Sequence, residues 1–317
     1  MLTASVQSNA PPLRVANLVK TYGSGRGVRD VSFQVAGGSI TGFIGANGAG
    51  KSTTLKAIIG LIRPDAGVVE LFGRPNSFAA RARLGFLPEE RGLVPRDRAS
   101  DAIAFQARLK GYSRKDAYRR ADMLLERVGL ADRRRAPIRE LSKGNAQRVQ
   151  ILCAIAHDPA LLVLDEPFTG LDVIAQAEVQ SLFSEFRSKG GAILFSTHSM
   201  QVAERLCDHV VVMADGRSVF EGPLAEATAQ APHGVYVTVD DETTLMEVVR
   251  GLGAKAEPFA GKMGEALRWR VLLPSNVPYP ALMRALADRQ LAVYGFEPIQ
   301  ADLEGAFWAL AGERAAA

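Results

Sequence analysis

Four apolar runs, Ile40 to Gly45, Leu161 to Asp165, Ala192 to Thr197 and Val210 to Ala214, stand out because few polar side chains interrupt them. Apolar runs of this length without alternation suit strands buried on both faces, as in a parallel sheet. From Leu13 to about Glu221 such runs alternate with longer helical patterns, including Thr53 to Ile62 and Asn145 to Ala156, the order that builds an α/β core. Between Arg91 and Ile138 the pattern becomes helical and charged, which predicts a helical subdomain inserted into that core.

The period changes after Gly222. An Ala-rich stretch with Pro232 predicts a linker over 223–233, and His233 reads as part of it. Residues 234–312 then run strand at Val235 to Asp240, helix at Thr243 to Leu252, a weaker strand at Ala254 to Phe259, strand at Arg268 to Leu273, helix at Tyr279 to Gln290 and strand at Leu291 to Phe296. This βαββαβ order predicts a small ferredoxin-like α+β domain. Asp240, Asp241 and Glu242 suit the N-terminus of its first helix better than a metal site. Residues 1–12 read as a disordered tail.

Composition narrows the picture. A length of 317 residues accommodates two domains, and 47% hydrophobic with 23% charged residues excludes wholesale disorder. A net charge of +4 is too small for a dedicated nucleic-acid binder, and Arg133 to Arg135 read as a solvated helix end. Cys153 and Cys207 form no CxxC pair, which fits a reducing cytoplasm. The start of the chain lacks a secretion signal, and no apolar run approaches the ~20 residues needed to cross a bilayer.

The segment GANGAGKST matches the phosphate-loop pattern GxxxxGK[ST], with a strand before it and a helix after it. Gly45, Asn47, Gly48, Ala49, Gly50 and Thr53 would cradle phosphates, Lys51 would reach the β and γ groups, and Ser52 would ligate Mg²⁺. Asp165 and Glu166 end another apolar run, where a core strand would not leave two carboxylates without reason. Asp165 suits Mg²⁺ binding through water, Glu166 suits polarising the attacking water, and His198 suits donation to a γ-phosphate oxygen. Tyr22, before a glycine turn, has a ring able to stack on adenine.

Together with LSKGN at Leu141 to Asn145 and GLD at Gly170 to Asp172, these motifs closely resemble the ATPase subunit of ABC transporters over residues 13–222. The resemblance implies a phosphate-loop ABC ATPase core that binds ATP and Mg²⁺ and pairs head to tail with a second copy. In such a pair Ser142, Gly144 and Asn145 would serve the nucleotide held by the partner's Lys51, and Asp172 would couple the two sites. It also implies a separate integral membrane permease, hence a cytoplasmic protein held peripherally at the inner face of the membrane. Ser142 is equally a good helix cap, and the two roles are compatible. Lys143 and Asn145 depart from the usual LSGGQ, Val173 replaces a common Pro, and Glu89 stands where the family's loop carries Gln. An ionised Glu89 can accept hydrogen bonds or bind Mg²⁺ but cannot donate.

The PEERGL loop, LSKGN and the C-terminal DLEGAFWAL resemble the ABC-2-type exporter subgroup that includes sodium and drug efflux ATPases. The alternative within the superfamily is a non-transport ATPase acting on ribosomes or nucleic acid, whose relatives carry paired cassettes, coiled coils or zinc inserts absent from this sequence. A phosphate-loop kinase or GTPase would give LSKGN and STHS no role. The C-terminal domain carries no catalytic cluster and reads as an accessory interaction module.

Overall fold

A computed structural model describes residues 10–23, 26–90, 92–263 and 266–312. Of the expected N-terminal tail, residues 1–9 lie outside the described residues, as do Ser24 and Gly25 after Tyr22, and Arg91 in the Glu89 loop. The chain divides into two compact units, with the boundary between Leu224 and Ala225.

In the first unit, β1 (Leu13–Thr21), β2 (Gly27–Val35) and β3 (Ile40–Gly45) precede α1 (Lys51–Ile58). There follow β4 (Ala66–Leu71), β5 (Arg74–Pro75), α2 (Phe78–Arg81) and β6 (Leu84–Leu87). Helices α3 (Ala99–Leu109), α4 (Arg114–Arg127) and α5 (Lys143–Ile155) lead to β7 (Leu161–Asp165) and α6 (Val173–Ser188). The unit closes with β8 (Ala192–Thr197), α7 (Met200–Leu206), β9 (His209–Ala214) and β10 (Arg217–Pro223).

One sheet holds these strands in the order β5-β4-β1-β2-β10-β9-β3-β8-β7-β6. The run β9-β3-β8-β7-β6 is parallel throughout, and every residue of β3, β7 and β8 is buried. Uninterrupted apolarity therefore corresponds to burial on both faces. The rest of the sheet is mixed: β1 pairs antiparallel with β2 and β4, β4 with β5 and β10 with β9, while β10 meets β2 in parallel. Exposed positions interrupt the buried ones along β1 and β2, so one face of this part meets solvent. Between β6 and β7 the small side chains of α3 and α4, including Ala102, Ala107, Ala117 and Ala121, let the two helices pack closely, forming the inserted helical subdomain.

The second unit opens within α8 (Leu224–Thr228) and continues with β11 (Gly234–Val239), α9 (Glu242–Gly251), β12 (Lys255–Met263) and β13 (Ala266–Leu272). It ends with α10 (Tyr279–Asp288), β14 (Val293–Pro298) and α11 (Leu303–Ala311). Its sheet order, β12-β13-β11-β14, is antiparallel at every pairing and has the ferredoxin-like arrangement. Val235, Val237, Trp269 and Val271 form a core with Leu245, Val249, Leu282 and Leu286 from α9 and α10. Asp241 caps α9, accepting from the Thr243 and Thr244 amides at 2.9 and 3.1 Å. The segment read as a linker, 223–233, is partly helical, and its last residue is packed: the His233 ring stacks on Tyr279 with centroids 4.7 Å apart.

Candidate functional site

The phosphate loop leaves β3 and turns into α1 through backbone that only glycine accommodates. A Cβ on Gly45 would lie 2.7 Å from the Met213 carbonyl oxygen of β9. Gly50 has φ of +102° at the start of α1, and a Cβ there would fall 2.6 Å from Val28 Cγ1. The free amides and positive dipole end of α1 thereby face outward as an anion cradle. Lys51, the first residue of α1, is buried and donates to the Gly45 carbonyl at 2.5 Å and the Ala46 carbonyl at 3.2 Å. Burial holds its ammonium below the ordinary lysine range, opposed by the charges of Glu166, Asp165 and Glu89.

One hydroxyl from the adjacent strand holds the Asp165 carboxylate and the Glu166 backbone. Ser196 Oγ donates to Asp165 Oδ1 at 2.5 Å and accepts from the Glu166 amide at 3.0 Å. Asp165 is buried at the end of β7, and Glu166 follows in the left-handed region with φ of +49°. For a non-glycine residue that conformation is uncommon and turns the side chain sharply off the strand. His198 Nδ1 lies 2.9 Å from Glu166 Oε1, with the imidazole largely exposed and the Glu166 side chain largely shielded.

These elements border an open cavity of about 500 Å³. Asn47, Gly48, Gly50, Lys51, Ser52 and Thr53 line it from the loop and helix, and Asp165, Glu166 and Glu89 line it from the strand ends. Tyr22 borders it and is 43% exposed, with the Lys20 ammonium 6.0 Å from its ring centroid. Gly45 and Ala49 shape the loop without lining the cavity, and His198 joins it through Glu166. Arg26 and Gly27 also line it and were not singled out by the sequence; the clue was a cation four residues after Tyr22, where the Tyr22 amide bonds back to the Arg26 carbonyl at 2.9 Å. Ser196 went unnoticed too, although it lies two residues before His198.

Ser142, Gly144, Asn145 and Asp172 do not line this cavity. They form a second grouping at the starts of α5 and α6. Ser142 caps α5, accepting from the Asn145 amide at 3.2 Å, and Asp172 caps α6, accepting from the Ala175 amide at 2.8 Å. Gly144 packs against the Gly170 backbone, where a Cβ would come within 3.1 Å of its carbonyl oxygen. Beside Asp172, Val173 is 83% and Ile174 74% exposed, an apolar pair with no cover.

Comparison with known proteins gives this geometry its context. Residues 28–169 match the ABC transporter family model. The uncharacterised ABC transporter ATP-binding protein YhaQ of Bacillus subtilis is 34% identical over 76% of this chain and 81% of its own length. The Nod factor export ATP-binding protein I of Burkholderia lata is 37% identical over 71% of this chain and 72% of its own length. Among solved structures, an ATP-binding subunit of an ABC transporter superposes with a TM-score of 0.64 at 35% identity, covering 69% of this chain and 92% of that one. A dimeric bacterial ABC transporter cassette shares the fold, with a TM-score of 0.62 at 24% identity over 67% of this chain and 98% of that one.

Proposed function

The chain belongs to the ABC transporter family as an ATP-binding ATPase subunit, and we propose that two copies close head to tail on ATP to drive a separate membrane permease, in the direction of export. The carrying observation is the separation of the site into two halves. Lys51, Ser52, Asp165 and Glu166 share one cavity, whereas Ser142, Gly144 and Asp172 sit together away from it. A second copy would bring its Ser142 grouping to the mouth of this cavity and cover Val173 and Ile174.

Within that closed site Lys51 and the loop amides hold the β and γ phosphates, and Tyr22 stacks on the base. Glu166 orients and polarises the attacking water; His198, bonded to Glu166, donates toward the γ-phosphate as charge develops. Among the described residues no three His, Cys, Asp or Glu side chains group as a metal centre. The cavity does present hard oxygen donors in Ser52, Asp165 and Glu89, which suit Mg²⁺ held jointly with a nucleotide. Such an ion would supply neutralisation of phosphate charge. Asp165 is suited to that duty because Ser196 pins its carboxylate at the cavity edge.

Among the described residues no helix is long and apolar enough to cross a membrane. One feature supports a membrane partner, the apolar surface of the helical subdomain. The helical subdomain exposes Val94, Phe105, Leu109 and Met123, side chains that a docking partner would bury. The export direction rests on the Nod factor export relative and on the LSKGN and PEERGL segments. The C-terminal unit serves as an interaction module in this reading. Glu166→Gln tests it: the variant should bind ATP and accumulate as an ATP-bound dimer in size-exclusion chromatography with light scattering. A variant that stays monomeric at saturating ATP would overturn the shared-site reading.

A further inference from the structure

Helix α5 carries two buried glutamines one turn apart, and both bond to turns that carry cavity-lining residues. Gln147 Nε2 donates to the Pro167 carbonyl at 3.2 Å, just behind Glu166. Gln150 Nε2 donates to the Pro88 carbonyl at 3.2 Å and the Glu90 carbonyl at 3.3 Å. Those two residues flank Glu89, which lines the cavity beside Lys51. Gln150 is 5% exposed, and its Oε1 has no hydrogen-bond partner among the described residues. Burying an amide oxygen without a donor is unfavourable, so packing alone would favour an apolar side chain at this position.

We propose that Gln150 is a positioning residue that passes the state of the Glu89 loop to the Ser142 end of α5, so that one ATP cavity sets the alignment of the surface offered to the other. The inference rests on the two-copy reading above. Ser142 and Gln150 lie on one helix about 12 Å apart at 1.5 Å per residue, so a shift at one is carried to the other without a flexible joint. The free oxygen gives the clasp a second bonding state. In the present arrangement two carbonyls accept from Nε2; a small slide of the loop would present a backbone N–H to Oε1 instead. A two-state element of this kind is what coupling between sites requires. Gln147 fastens the same helix to the Glu166 turn with a single bond, and it has no orphaned atom.

The test uses the full-length chain and two substitutions, Gln150→Met, which keeps volume, and Gln150→Glu, which keeps shape and oxygens but loses the donors when ionised. ATP binding, steady-state hydrolysis across an ATP titration and thermal melting are measured for each. Both variants should retain ATP affinity within about twofold while kcat falls about fivefold and the Hill coefficient drops toward 1, and Gln150→Met should melt as wild type. Wild-type kcat and cooperativity in either variant would overturn the proposal. So would a parallel loss of melting temperature and ATP affinity in Gln150→Met, which would mark a purely structural residue. Cooperative wild type with cooperative Gln150→Met removes the Gln150 role alone. A non-cooperative wild type together with a monomeric Glu166→Gln removes the two-copy reading beneath it.

Discussion

The cavity at Lys51 and the surface at Ser142 are built from the same materials, a glycine-bearing turn feeding a helix N-terminus, yet they differ in completeness. Around Lys51 the ends of β3, β7 and the Glu89 loop converge, so cation, carboxylates and amides face one space. Around Ser142 only the starts of α5 and α6 meet, and the neighbouring Val173 and Ile174 lie open to solvent. The difference teaches that a helix N-terminus alone is half a phosphate site. The Lys51 region supplies enclosure and charge; the Ser142 region supplies two capped helix starts and an exposed apolar rim, which the proposed second copy would complete.

Substitutions can be aimed at either region. The largest effect is expected at the enclosed one: Glu166→Gln should lower kcat by about 10²- to 10⁴-fold while ATP binding persists, read by steady-state hydrolysis and nucleotide titration. If kcat falls less than about tenfold, Glu166 is not the base. At the open region Ser142→Asp is the sharper probe. Aspartate caps a helix as well as serine does, so melting should hold, but its charge would face the partner's phosphates and lower kcat about 10- to 100-fold. Unchanged hydrolysis in Ser142→Asp would reduce Ser142 to a cap. The double change Val173→Asp, Ile174→Asp should weaken the ATP-dependent dimer about tenfold or more in sedimentation equilibrium, with monomer melting unaltered. Ser196→Ala releases the hydroxyl that ties Asp165 to Glu166 and should lower kcat about tenfold with little change in ATP affinity.

The smallest expected effect lies at the end of β1, just before Tyr22, and depends on pH. The Lys20 hydrogen bond, aided by the Thr21 amide, holds the Asp65 carboxyl below its ordinary value. A carboxyl depressed in the folded state stabilises above its unfolded pKa and loses that contribution as pH falls through the folded value. Asp65→Asn should therefore show a melting difference from wild type that narrows as the buffer is taken into the acid range. A difference that grows with acidity would contradict this sign.

How much of this was legible in the chain depends on whether neighbours in space are neighbours in sequence. β3, β7, β8 and β9 were legible because burial on both faces leaves no polar interruption, and their ends announced Gly45, Asp165 and Thr197. The C-terminal βαββαβ order was legible from its change of period. The antiparallel layer of β1, β2, β4 and β5 was not, because a half-buried strand does not disclose the direction of its partner. Ser196 and Gln150 escaped notice for a related reason: each acts on a residue from a distant segment, Asp165 in one case and the Glu89 loop in the other. Arg26 was hidden because only the fold carries the turn after Tyr22 to the phosphate loop.

The decisive contrast between the enclosed half and the open half is complementation. Lys51→Ala, expected to be inactive alone, and Ser142→Asp, expected to be lowered about 10- to 100-fold alone, are mixed and their ATP hydrolysis is followed. In a mixed dimer the intact Lys51 of one copy meets the intact Ser142 of the other, so hydrolysis should reappear, from one of the two sites in each mixed pair. Mixtures no more active than the sum of the separate variants, under conditions where mixed dimers form, would contradict a site shared between two copies.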